Sequence, residues 1–134
     1  MGSTNQASAL SLPADDGHYI NLVVRVFNAN ATHPTSRTKC TSAAQAIATF
    51  FNLALNNPTK TVEVWTSDGS TAKRFYQFAK SAETRKAIES EYAKLRTKRG
   101  LETFPNFIKA IVNKAKEQPG TLSGSLVPFR VEPK

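Results

Sequence analysis

The chain has 134 residues, 40% apolar and 21% charged, which suits one domain with a modest core and excludes a disordered polymer. No run approaches the ~18–20 apolar residues that cross a bilayer, and the single cysteine, Cys40, excludes an internal disulfide and a cysteine-built metal cage. The net charge of +8 is segregated: Lys73 to Lys116 holds twelve basic residues against Glu83, Glu89, Glu91 and Glu102, whereas residues 1–72 balance Arg25, Arg37, Lys39 and Lys60 against Asp15, Asp16, Glu63 and Asp68.

Residues 1–17 are Ser-, Ala- and Asn-rich without a sustained period, and read as a flexible arm before a single domain over 18–134. They lack the basic start and continuous apolar stretch of a secretion signal, so a cytoplasmic or nuclear location is expected rather than secretion. Gln6 stands where a myristoylation start at Met1-Gly2 needs Ser or Thr, which sets that motif aside. His18 to Asn28 predicts the first strand, with Ile20, Leu22, Val24 and Val26 on one face and Tyr19, Asn21, Val23, Arg25 and Phe27 on the other. Ala29 to Lys39 reads as a polar loop.

Ser42-Ala43-Ala44-Gln45 forms a capping box, and the helix behind it buries Ala43, Ile47, Phe50, Phe51 and Ala54 before Asn56-Asn57-Pro58 stops it. Thr61 to Thr66 predicts a strand, Asp68-Gly69 a hairpin turn, and Thr71 to Phe78 an antiparallel return. Ser81 caps a second helix that turns Ile88, Tyr92 and Leu95 inward and ends at Gly100. Pro105 opens a third, with Phe104, Phe107, Ile108, Ile111, Val112 and Ala115 as its apolar stripe. Gln118-Pro119-Gly120 ends it, and Leu122 to Val131 predicts a last strand that Gly124 and Pro128 confine to an edge.

The expected class is α+β: a mixed or antiparallel sheet of three to four strands packed by three helices, in the order β-α-β-β-α-α-β. Counting the helix pair as one crossover gives the split βαβ order of a ferredoxin-like sheet, with helices on one face and the other open. Without the last strand, the same elements make a three-stranded sheet packed by three helices.

Catalysis, or a nucleotide-sequestering pocket, has the least support of the readings the chain offers. His33 and Cys40 share a loop without a glycine-rich oxyanion segment, and Asp15, Asp16 and His18 are three metal-capable groups on an arm expected to be flexible. No phosphate-binding or dinucleotide glycine motif occurs, so no enzyme activity, cofactor or metal is expected.

Polyanion binding has more behind it. Lys73-Arg74-Phe75-Tyr76-Gln77-Phe78 interleaves cations, which neutralise phosphates, with rings, which stack on unpaired bases. Lys94, Arg96, Lys98 and Arg99 crowd one helix end, more than the helix dipole calls for at ~0.3–1 kcal/mol each. Lys109, Lys114 and Lys116 extend the charge along the third helix. The candidate contact residues are Lys73, Arg74, Tyr76, Arg85, Lys86, Lys94, Arg96, Lys98 and Arg99. The element order resembles that of an RNA-recognition motif, whose first and third strands carry base-stacking aromatics. Tyr19-Ile20-Asn21-Leu22 echoes its first-strand motif; the third strand lacks the defining Gly-aromatic pattern, so the chain is not assigned to that family.

The leading expectation is a non-catalytic nucleic-acid-binding protein with little sequence preference, taking phosphate through residues 73–116 and favouring RNA or single-stranded DNA. The alternative is an interaction or assembly module, either a viral coat-like subunit that self-associates through the half-apolar sheet face or an inhibitor docking on an acidic protein. No membrane partner is expected.

Overall fold

Among the described residues four strands form one antiparallel sheet, with the first, second and fourth helices packed on it and the third packed on those helices, making a single α+β domain. The structure, a computed structural model, describes residues 10–14, 21–67, 69–117 and 126–134. Strand β1 (Val23–Phe27) turns Val24 and Val26 into the core, continuing the alternation from buried Leu22. The proposed strand start at His18 to Ile20 lies outside the described residues. Leu10, within the stretch read as an arm, is buried in the core, and Leu12 packs against it.

The segment expected to be loop contains a strand, β2 (Ser36–Lys39), which pairs with β1 in the register Val23↔Lys39 and Arg25↔Arg37. Its residues Ser, Arg, Thr and Lys carry no apolar alternation, because an edge strand with little side-chain burial needs only one backbone partner. Thr35 sets the register, donating its backbone N–H to the Val26 carbonyl at 2.7 Å and its hydroxyl at 3.1 Å.

Helix α1 (Ala43–Asn56) starts as its sequence dictates: the Ser42 hydroxyl accepts the Gln45 N–H at 3.1 Å. The Gln45 side chain closes the box one residue upstream, accepting the Thr41 N–H at 2.8 Å. Ala43, Ile47, Phe50, Phe51 and Ala54 are all buried. Strand β3 (Thr61–Thr66) follows and occupies the middle of the sheet.

Residues 71–78 do not return as a strand. They lie in helix α2 (Ser70–Lys80), entered through Gly69, whose carbonyl accepts the Lys73 N–H at 3.1 Å. Ala72, Phe75, Phe78 and Ala79 are buried at helical spacing. Alternation would instead bury Arg74 beside Phe78 or Lys73 beside Phe75, so desolvating a cation decides against the strand. The expected hairpin turn is therefore a helix entry; its Asp68 lies outside the described residues.

Ser81 caps α3 (Ala82–Arg99) by accepting the Glu83 N–H, and Gly100 ends it in the left-handed region at φ 64°. Helix α4 (Phe104–Glu117) has Pro105 in its first turn and buries Phe107 and Ile111. Strand β4 (Leu126–Val131) pairs with β3 at one edge, giving the sheet order β2-β1-β3-β4. A strand stands at 36–39 and a helix at 71–78, so the chain-order pattern is β-β-α-β-α-α-α-β and the split βαβ pairing of a ferredoxin-like sheet does not form. The aromatics of 75–78 ride on a helix, so the strand platform of the RNA-recognition motif does not form there either.

Phe129 joins the layers, its ring centroid 5.4 Å from that of Phe50 on α1 and 5.1 Å from that of Phe75 on α2. Among the described residues no helix is long and apolar enough to cross a membrane. Phe129→Ala leaves a void between sheet, α1 and α2, and is expected to cost about 3–5 kcal/mol in urea unfolding.

Candidate nucleic-acid interface

All nine candidate residues lie on α2 and α3, but only some of them face water. The Arg74 guanidinium lies 4.3 Å from the centroid of the Phe78 ring and donates to the Gln77 side chain at 3.0 Å. Arg85 donates to the Ala79 carbonyl at 2.9 Å, pairs with Glu89 at 3.3 Å and covers the Phe104 ring. Arg74 is thus folded onto its own helix, and Arg85 is occupied in holding α3 to α2 and α4.

Arg99 is the clearest correction. Expected to project into solvent, it is 3% exposed. Its Nε donates to the Ala54 carbonyl at 3.2 Å, Nη2 to Asn57 at 2.6 Å and Nη1 to Glu132 at 2.8 Å. Ala54 carries one of the orphan carbonyls at the end of α1, the Asn57 carbonyl also accepts the Lys60 N–H at 3.0 Å, and Glu132 follows β4. The planar fork of an arginine suits three fixed acceptors where a lysine would not. Nothing in the spacing of Lys94, Arg96, Lys98 and Arg99 separates the buried cation from its neighbours; the phase set by Tyr92 and Leu95 does, since 99 follows both on the inward face.

Lys73, Tyr76, Lys86, Lys94, Arg96 and Lys98 remain exposed. Lys94 pairs with buried Glu91 at 2.9 Å, and Arg96 donates to the Leu101 carbonyl at 3.1 Å. Lys94 and Lys98 share one face of the last turns of α3, and Arg96 lies on another. Lys73 and Tyr76 form a separate group, at a groove of about 520 Å³ between α2 and α4. Ala72, Val112 and Ala115 line it with Gln77 and Lys116. Tyr76, 42% exposed, is the one exposed large hydrophobic side chain among the described residues. Lys80 sits 5.1 Å from its ring centroid. Lys80 and Lys116 were missed as site residues; spacing four after Tyr76 marks the first, whereas the second reaches the groove only because α2 is a helix packed on α4.

The sheet face turned away from the core carries a second charged group. Glu63 on β3 is 2% exposed and is held from both sides: by Arg25 of β1, through Nε at 2.8 Å and through Nη2, and by Arg130 of β4, through Nη1 at 2.6 Å. The Arg25 guanidinium lies 5.4 Å from the Phe27 ring centroid and 5.7 Å from that of Trp65. Arg37 stands directly across from Arg25, and Lys39 across from Val23.

Burial pushes the Cys40 thiol up, against a smaller lowering by a hydrogen bond with Thr49, and His33 is exposed. No group of three His, Cys, Asp or Glu side chains placed to hold a metal occurs among the described residues; Asp15, Asp16 and His18 lie outside them. Compared with known proteins, the chain matches no family model, no curated protein and no solved structure.

Arg99→Ala is expected to destabilise the fold by about 2–4 kcal/mol, since each buried carbonyl left unpaired costs roughly 1–3, and urea unfolding measures it. Burial also pushes the Tyr92 phenol up to about 12, with Arg96 lowering it and Glu102 raising it by smaller amounts. Between its ordinary value of 10 and about 12 the unfolded chain releases this proton while the folded chain keeps it, so stability falls across that window. Tyr92→Phe should flatten that part of the alkaline limb, as read from urea midpoints at several pH values.

Proposed function

We propose that the protein binds single-stranded nucleic acid without catalysis, taking phosphates on the exposed lysines of α2, α3 and α4 and stacking a base on Tyr76. The observation that carries this reading is the α2–α4 groove: the exposed aromatic ring stands among Lys73, Lys80 and Lys116. Lysines neutralise phosphates and release counterions, and an accessible ring accepts any unpaired base, because every base has a π-face. Such chemistry is tolerant of sequence. Lys94, Arg96 and Lys98 add charge that steers a polyanion toward the helical side.

The apolar floor of the groove, Ala72, Val112 and Ala115, also suits an apolar anchor on an acidic protein segment, and that is the competing reading. Anisotropy of a labelled mixed-sequence single strand separates the two. Binding is expected at about 50 mM salt, falling with a log–log slope of about 0.7 per phosphate contact. Lys73→Glu, Lys94→Glu and Lys98→Glu together should lower that slope by about 2. Tyr76→Ala should weaken binding by roughly 1–3 kcal/mol with the slope unchanged. Wild-type protein that binds no strand at that salt, yet retains an acidic protein partner through Lys73 and Lys116, would establish the interaction module instead.

A further inference from the structure

The acids on the outer sheet face are already committed. Glu63 is buried between Arg25 and Arg130, and Glu132 accepts from Arg130 at 2.7 Å and from Thr61 at 2.8 Å. Arg37 and Lys39 on β2 have no carboxylate within ion-pair distance among the described residues, and both are exposed. Directly opposed side chains of an antiparallel pair share a face, so Arg37 joins Arg25 and Arg130 in one row across the strands. Like charges directly opposite one another, as Arg37 and Arg25 are, are unfavourable, and an anion bound between them would relieve the repulsion.

The row is also pre-organised. Arg25 spends Nε and Nη2 on Glu63, leaving Nη1; Arg130 spends Nη1 on Glu63 and Nε on Glu132, leaving Nη2. Each guanidinium is thus held by a buried carboxylate with a donor edge remaining, and its rotamer entropy is lost on folding rather than on binding. Half-buried Trp65 lies beside the row.

We infer that this face is a second phosphodiester-binding surface, on which Arg37, Arg25 and Arg130 take backbone phosphates and Trp65 lies within reach of a base. The inference rests on single-stranded nucleic acid being the ligand. It adds a contact region outside residues 73–116, built from cations of the charge-balanced half of the chain and from β4. A groove of about 390 Å³ between α4 and β4, lined by Asn113, Lys114 and Arg130, lies beside the β4 edge of this face.

Trp65 is the only tryptophan in the chain, so its emission and its quenching by acrylamide report this face without a label. A mixed-sequence single strand of about 16 nucleotides, the upper end of single-fold site sizes, is titrated into wild type, Arg37→Glu/Lys39→Glu and the triple lysine variant of α2 and α3. In wild type the strand is expected to shield Trp65 from acrylamide saturably. Arg37→Glu/Lys39→Glu should abolish the shielding and lower the salt slope by about 1.4, while the triple variant keeps the shielding. Circular dichroism checks folding; Arg37→Gln/Lys39→Gln, which removes the same two cationic contacts and should lower the slope by the same ~1.4, replaces the reversal if β2 fails to form.

If the strand binds and Trp65 stays unshielded in wild type, the inference falls and the helical interface stands. If the β2 reversal changes neither shielding nor slope, the inference falls and the two cations act only as guards of an edge strand. Shielding that depends on Arg37, with a salt slope indifferent to the α2 and α3 lysines, supports the sheet face and removes the helical one. Absence of any binding removes both.

Discussion

One guanidinium joins parts of the chain that are far apart in sequence. Arg99 in the last turn of α3 reaches the carbonyls that end α1 and the carbonyl of Glu132 just past β4. Its cation therefore lies near the negative ends of two helices, α1 and its own, where the dipoles favour it. Burial lowers its pKa, and the nearby Glu132 carboxylate works in the opposite direction. Three carbonyls accept its hydrogen bonds in place of the lost water, so the site depends on geometry. Three acceptors from two segments must converge on one plane, and they do so only when α1, α3 and β4 are all seated.

From that point a chain of polar contacts runs through the sheet. Glu132 receives Arg99 on its backbone oxygen and Thr61 and Arg130 on its carboxylate; Arg130 reaches Glu63, and Glu63 reaches Arg25. The Glu132 carboxyl is accordingly held below the usual carboxylate range, first by the Thr61 hydroxyl and then by Arg130. A carboxyl of this kind contributes stability above its ordinary pKa and loses it as pH falls through its depressed one. The network crosses from the helical layer to the outer face, so Arg25 and Arg130 are anchored in the same contacts that hold α3 in place.

Where burial decides an element, the sequence is a sound guide. Ala43, Ile47, Phe50, Phe51 and Ala54 on α1, Ile88, Tyr92 and Leu95 on α3, and Phe107 and Ile111 on α4 all face inward as their spacing requires. Thr61–Thr66 and the edge position of β4 follow from composition and Pro128. Two segments were not legible by the same means. β2 has no apolar pattern because its four residues need only backbone partners, and the loop before it contains nothing that dictates its end. At 71–78 an Asp-Gly pair and three closely spaced aromatics imitate a hairpin; the small residues Ala72 and Ala79, which complete the helical stripe, carry little weight in a pattern made of large side chains.

The same limit governs the charges. Net charge and clustering reveal a field but not which cations make it available to a ligand. Arg74, Arg85 and Arg99 are bound into ring and carbonyl contacts, while Lys73, Lys86 and Lys98 stay exposed; the division follows side-chain chemistry. A guanidinium is weakly hydrated and planar, so it covers rings and bridges carbonyls at tolerable desolvation cost, whereas a strongly hydrated ammonium stays in water. Three of the four candidate arginines on the helical side are therefore drawn into the fold, Arg96 being the exception, and the candidate lysines are left outside it. On the sheet face the buried Glu63 reverses this outcome, because it fixes two arginines by one edge and leaves part of each guanidinium turned outward. On the helical side the exposed cations are mostly lysine point charges, whereas on the sheet face Arg25 and Arg130 are forks fixed by Glu63. The first arrangement favours contacts that slide along a backbone, the second contacts that hold one register on it.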